Sequence, residues 1–250
     1  MFKFLYHYSS LRNFYLLSKK VTPYILGLFV ISISYGLFGA LALAPADYQQ
    51  GDSFRIMYVH VPSAWMSLLI YVTMSLSGIS VLIWRLKLAE ITLRASAPIG
   101  ALFTILALIT GSIWGKPMWG AWWVWDARLT SELILIFLYM GVIALLRAID
   151  DKRTGARAAA ILSLIGIINI PIVHYSVEWW TTLHQGPTVS KFGAPSIHVD
   201  MLIPLLTMSV AFILYFLLVG LSRMRALILE YDKEARWAQE LAVQDTRNTL

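Results

Sequence analysis

Residues Trp114 to Ser131 read WGKPMWGAWWVWDARLTS, and they stand between two long, largely apolar runs, Ala95 to Gly115 and Leu129 to Leu146. Each run is close to the roughly 20 residues a helix needs to cross a hydrocarbon core. The segment between them holds five tryptophans, Trp114, Trp119, Trp122, Trp123 and Trp125, followed by Asp126, Arg128, Thr130 and Ser131. Indole is apolar apart from one N–H, so tryptophan belongs at a membrane–water interface, and an isolated pair would mean anchoring and no more. Half of the chain's ten tryptophans in one short segment points instead to a surface for a flat, planar ligand.

The chain of 250 residues is 58% hydrophobic and 14% charged, with a mean hydropathy of +0.68. Ordinary globular domains carry about 25% charged residues, so this is the composition of an integral membrane protein. Six stretches are long and apolar enough to span: Thr22 to Ala44, Pro62 to Trp84, Ala95 to Gly115, Leu129 to Leu146, Ala158 to Val177 and Met201 to Ser222. They are apolar all round, and lipid leaves no partner for an open backbone, so the fold expected is all-α with six transmembrane helices. The first stretch is too long for a signal-peptide core, and despite the cleavage-like Ala42-Leu43-Ala44 it reads as an uncleaved span.

The net charge of +6 is explained by topology, without nucleic acid. Segments 1–21, 85–94, 147–157 and 223–250 hold sixteen of the twenty Lys and Arg residues, leaving Arg55, Lys116, Arg128 and Lys191 for the loops between. The positive-inside rule then puts both termini in the cytoplasm. Residues 45–61, the tryptophan segment 114–131 and residues 178–200 emerge together on the outer face, which in a bacterium is periplasmic. Residues 1–222 form one six-helix domain on this reading, and 223–250 form a cytoplasmic amphipathic tail that either continues the last span or lies on the membrane surface.

That sorting separates the five histidines. His7 belongs to the cytoplasmic N-terminal segment, as an interfacial residue. His174 lies inside the fifth span one turn beyond Pro171, either hydrogen-bonded to a neighbouring helix beside a proline kink or serving a function. His60, just before Pro62 in YVHVPSAW, and His184, in WWTTLHQGP, both lie at the depth of the tryptophans. His198 shares the outer loop of His184 but has no aromatic residues close by in sequence.

Two imidazoles and a sheet of indoles at one depth suit haem b, whose iron accepts axial imidazoles and whose porphyrin is an apolar plane with anionic propionates. Indoles stack on or grip that plane, and Arg128 or Lys116 can meet a propionate. The chain has no cysteine, hence no C-x-x-C-H for attaching haem covalently and no thiolate metal site. Zinc is the other metal to weigh, but it usually takes three or four ligands and only Asp126 offers a third. Asp126 has an equal claim to capping the fourth helix. Glu132 sits four residues after Arg128, a spacing that makes a local ion pair.

Trp119-Gly120-Ala121-Trp122-Trp123-Val124-Trp125-Asp126-Ala127-Arg128-Leu129-Thr130 resembles the "WWD" signature of the haem-handling proteins of cytochrome c biogenesis. The contexts VHVPSAW and LHQG, six spans and short length make the whole chain similar to the short branch of that family. The resemblance implies that His60 and His184 are the axial ligands on the outer face and that Trp114, Trp119, Trp122, Trp123 and Trp125, with Asp126 and Arg128, form the haem platform. It also implies haem transfer rather than catalysis, in a bacterial inner membrane. The acceptor would be a membrane-anchored haem chaperone, and the chain would work beside a small single-span subunit and an ATP-driven transporter module. A haem permease, a b-type cytochrome carrying electrons and a cofactor-free scaffold are the competing readings.

Overall fold

The computed structural model describes residues 10–186, 188, 189, 191 and 193–241, so the expectation for His7 falls outside the described residues. Among those residues there is no strand. Seven α-helices follow one another: α1 Leu11–Phe38, α2 Met57–Trp84, α3 Lys87–Trp119, α4 Ala127–Ala148, α5 Lys152–Gly166, α6 Asn169–Trp179 and α7 Val199–Tyr231. A π-helical turn at Gly39–Leu43 continues α1, and a 3-10 helix at Asp52–Ile56 leads into α2. With α5 and α6 taken together, six helical units are long and apolar enough to cross a membrane.

The starts of the helices are chemically marked. Ser10 Oγ accepts from Asn13 N–H at 3.2 Å, Asp126 Oδ1 from Leu129 N–H at 2.8 Å and Asp151 Oδ2 from Thr154 N–H at 2.8 Å. Each satisfies a backbone donor that the first helical turn leaves free. Short connections at residues 85–86 and 149–151 force antiparallel neighbours. Accordingly α2 packs chiefly on α3, α1 on α7, and α5 on both α2 and α4.

Lipid is as apolar as leucine, so helix association in a bilayer rests on packing and interhelical hydrogen bonds worth about 0.6 kcal/mol each. The chain supplies several. Ser75 Oγ donates to Ser163 O at 2.9 Å, Tyr139 Oη to Ser67 O at 2.6 Å and Asn169 Nδ2 to Ser131 O at 2.9 Å. Around them Ile70, Tyr71, Met74, Leu135 and Tyr139 are fully buried. At the opposite end of the bundle Leu11, Tyr15, Ile91, Met224 and Ile228 form a second cluster, joined by Trp237.

Most helix boundaries lie a few residues outside those expected, and four differences bear on the site or the tail. The first helix begins at Leu11 rather than Thr22, and the last runs on to Tyr231, so the tail continues the final span. The third helix passes Gly115 and ends at Trp119, where Gly120 takes φ 74° and its N–H caps Lys116 O at 3.1 Å. Only Gly can hold that backbone without strain. Hydropathy marks where lipid ends, whereas these helices stop at a cap some turns later. The tryptophan "loop" is therefore a helix end, a non-helical stretch at 120–126 and a helix start. The fifth span breaks at Ile167–Ile168, four residues before Pro171, which has no N–H for the carbonyl of Ile167.

Candidate functional site

At one end of the bundle α2, α3, α4 and α6, with residues 45–50, His184, Gln185, Thr188 and His198 from the coils, line a cavity of about 650 Å³. It reaches from Gln50 and Gln185 at its mouth down to Leu68, Leu108 and Glu132.

His60 stands in the first turn of α2, within the helix rather than in the preceding loop. Its Nδ1 lies 3.0 Å from Ala107 O and 3.1 Å from Thr110 Oγ1 on α3. A carbonyl only accepts, and the Thr110 hydroxyl already donates to Leu106 O at 2.6 Å. The hydrogen of the neutral ring is therefore on Nδ1, leaving the Nε2 lone pair free. Gly111 lies against the ring: a Cβ there would be 2.9 Å from His60 Cε1. Trp114, next along this side of α3, meets the imidazole edge-on at 5.7 Å and 75°, and its own Nε1–H donates to Gln50 Oε1 at 3.0 Å.

His184 lies in the coil after α6. Its Nδ1 is 3.0 Å from Gln185 O, so by the same argument Nδ1 holds the hydrogen and Nε2 is free. Burial, and secondarily the Arg128 guanidinium, push its imidazole from 6.5 down to about 4, so the ring is neutral at physiological pH. The two imidazole centroids are 6.2 Å apart with the rings inclined at 34°, and Trp119 packs on His184 at 6.1 Å. Two metal–imidazole bonds of about 2 Å each plus two ring radii span very nearly that separation. The spacing alone matches that of an imidazole pair sharing one ion, and each ring carries its hydrogen on Nδ1.

The remaining candidates divide. Trp114, Trp119 and Trp123 line the cavity, whereas Trp122 and Trp125 are 58% and 77% exposed. Trp123 Nε1 is buried with no acceptor among the described residues, an unusual state for a buried donor. Arg128 lines the cavity and spends Nη1 on Val173 O at 3.3 Å, which leaves further donors of its fork for a guest anion. Asp126 caps α4 through Oδ1, and its Oδ2 is buried without a partner among the described residues. Lys116 donates to Gly120 O at 3.0 Å at the end of α3. Glu132 is buried and accepts from Ser67 Oγ at 2.9 Å across the interface with α2, instead of serving a local interfacial pair. Cavity-lining residues that sequence reading did not single out are Trp65, Ala107 and Gly111. His174 and His198 also line the cavity, and His198 Nδ1 accepts from Asp200 N–H at 3.3 Å. The signal for the α3 wall was the spacing Ala107, Gly111, Gly115, a small residue every four, which clears one helix face.

Fold and site together define a polytopic helical membrane protein with an imidazole pair and an indole wall in a cavity at one end. The chain belongs to the family described as Heme exporter protein C, which it matches over residues 4–239. It is 47% identical to Heme exporter protein C of Haemophilus influenzae, with 97% of this chain and 98% of that protein aligned. Against the protein of the same name from Escherichia coli K12 it is 52% identical over 87% of this chain and 88% of the relative. Its Bradyrhizobium diazoefficiens counterpart is 50% identical, covering 87% and 82%. With these bacterial relatives and six apolar helices, the chain is a multi-pass inner-membrane protein.

Proposed function

We propose that this protein holds haem b at the periplasmic face of the inner membrane, with His60 and His184 as axial ligands, and delivers it for c-type cytochrome maturation. The observation that carries this is the imidazole pair: 6.2 Å between centroids, with both Nδ1 atoms tied to carbonyls so that both Nε2 atoms are available. The relatives' name speaks of heme export, and the haem is cargo. Two imidazoles on the iron favour a six-coordinate, low-spin state and leave no site for oxygen. Trp114, Trp119 and Trp123 offer apolar faces to the macrocycle, and Arg128 with the Trp123 N–H offers donors to a propionate. Exposed Trp122 and Trp125 stand outside the cavity, where a docked acceptor would meet them.

The acceptor on this reading is the membrane-anchored haem chaperone, with a small single-span subunit and an ATP-driven transporter module alongside. The six-helix part, residues 1–222, does the holding and 223–250 face the cytoplasm. The protein itself binds and transfers; it is not an enzyme. Beyond Glu132 the bundle is filled by the fully buried Ile70, Tyr71, Met74, Leu135 and Tyr139, which argues for a holder filled and emptied at one end over a permease.

The test is the absorption spectrum of the purified, haem-loaded protein. Wild type is expected to show a low-spin Soret and split visible bands. His60→Gly and His184→Gly should each lose them, with added imidazole restoring them. Unchanged bands in both variants would refute the ligand assignment.

A further inference from the structure

Glu132 is a carboxyl inside a membrane-spanning helix, and ligand holding does not use it. An ionisable side chain at such a depth is costly and calls for a role. It lines the cavity yet is buried, and among the described residues its hydrogen-bond partner across the interface is Ser67. Ser67 Oγ has a single hydrogen but two acceptors in reach, Ala64 O at 2.8 Å and Glu132 Oε1 at 2.9 Å. Two states therefore keep the Glu132–Ser67 hydrogen bond. With Glu132 ionised, the Ser67 hydroxyl donates to the carboxylate. With Glu132 protonated, the carboxyl O–H donates to Ser67 Oγ, and the Ser67 hydrogen turns to Ala64 O. The states differ by one proton.

We propose that Glu132 and Ser67 form a one-proton store in the cavity wall that fills when the iron of bound haem is reduced. This rests on the haem reading above. The balance is simple: a one-electron reductant converts ferric to ferrous iron, the Glu132 carboxylate takes one proton from water, and no other bond changes. The physical cause is charge. An added electron in the same low-dielectric cavity repels the carboxylate and favours its neutral form. Other titratable groups stand around it. Arg128 lies one turn earlier on α4 and stays cationic. Tyr139 donates to Ser67 O, and Tyr71 has a buried hydroxyl without a partner among the described residues. His174 on α6 and His198 before α7 line the same cavity, and Asp126 Oδ2 is buried without a partner among the described residues, so these are the other groups that face it.

The experiment is a spectroelectrochemical titration of the haem-loaded protein at a series of pH values, with dithionite as the reductant. In wild type the redox equilibrium is expected to shift by up to tenfold per pH unit, about 59 mV for one electron. Glu132→Gln should flatten that dependence while His174→Gln retains it. A pH-independent wild type, or an equal slope in Glu132→Gln, overturns the proposal; the second result assigns the proton to a propionate. Should Glu132→Gln not fold, the reduced-minus-oxidised infrared spectrum of wild type decides. A protonated-carboxyl C=O stretch appearing on reduction supports the store, and its absence overturns it. Loss of the low-spin spectrum itself would instead mark failure of the haem reading.

Discussion

At the scale of single residues the site depends on how His60 is seated. Ala107 O and Thr110 Oγ1 take its Nδ1–H, and Gly111 leaves the ring just enough room. Gly111→Ala places a methyl 2.9 Å from His60 Cε1, so the ring must turn off its acceptors. Groups that orient a metal-binding histidine are typically worth about 10–100-fold in affinity. The variant is expected to weaken haem binding by that order and shift the spectrum toward high spin, with imidazole restoring low spin. An unchanged spectrum would show that the socket is not needed. His184 makes a pH prediction for the apoprotein. Unfolded, its imidazole protonates near 6.5; folded, burial delays this to about 4. Across that window the unfolded chain binds more protons, so stability falls as pH is lowered from about 6.5 to about 4 and is unaffected by this group above it. NMR of histidine-labelled apoprotein should find His184 still neutral midway through the window. Ordinary titration there would contradict its burial.

At the scale of elements, caps and clamps decide geometry. Asp126 was open to two readings from sequence, and its Oδ1 bond to Leu129 N–H satisfies the capping one. Asn caps as well as Asp, whereas Ala does not, at a cost of about 1 kcal/mol. Asp126→Ala should therefore lower the unfolding midpoint in detergent while Asp126→Asn leaves it in place. If Asn lowers haem affinity with stability intact, the carboxylate has a direct role too. Arg55 ties the end of the first span to the start of the second. It donates to Ala40 O and, at 3.1 Å, to Ala44 O, while Nε pairs with Asp52 at 2.9 Å. Both alanines are buried, so Arg55→Leu strands two carbonyls, each costing about 1–3 kcal/mol. A clear fall in thermal midpoint is expected, and Arg55→Lys should not fully rescue it because Lys lacks the fork. A midpoint within error of wild type would mean water replaces the guanidinium.

At the scale of the whole molecule the charge pattern predicts orientation, with the cavity outward. The chain has no cysteine, so single introduced thiols report without background. Tyr48→Cys, at a site 90% exposed near the cavity mouth, should react with an impermeant maleimide in spheroplasts. Arg153→Cys should react only after lysis; the reverse would invert the topology. The six spans were legible because lipid punishes charge over some twenty residues at a stretch, a signal that averages over local detail. His60 and His184 were legible as a pair because topology alone sets depth. What escaped was lateral. Depth cannot say which indoles turn inward, so Trp122 and Trp125 read like Trp119 although they are exposed, and Glu132, just inside the fourth span, read as a local interfacial partner of Arg128 although it reaches Ser67. The break at Ile167–Ile168 has a mechanical corollary. His60 rides on an unbroken helix of 28 residues, whereas His184 hangs from an 11-residue half-helix. A pivot of α6 would carry the His184 imidazole away and leave His60 seated, so under the proposed haem-holding role the grip has a fixed jaw and a free one.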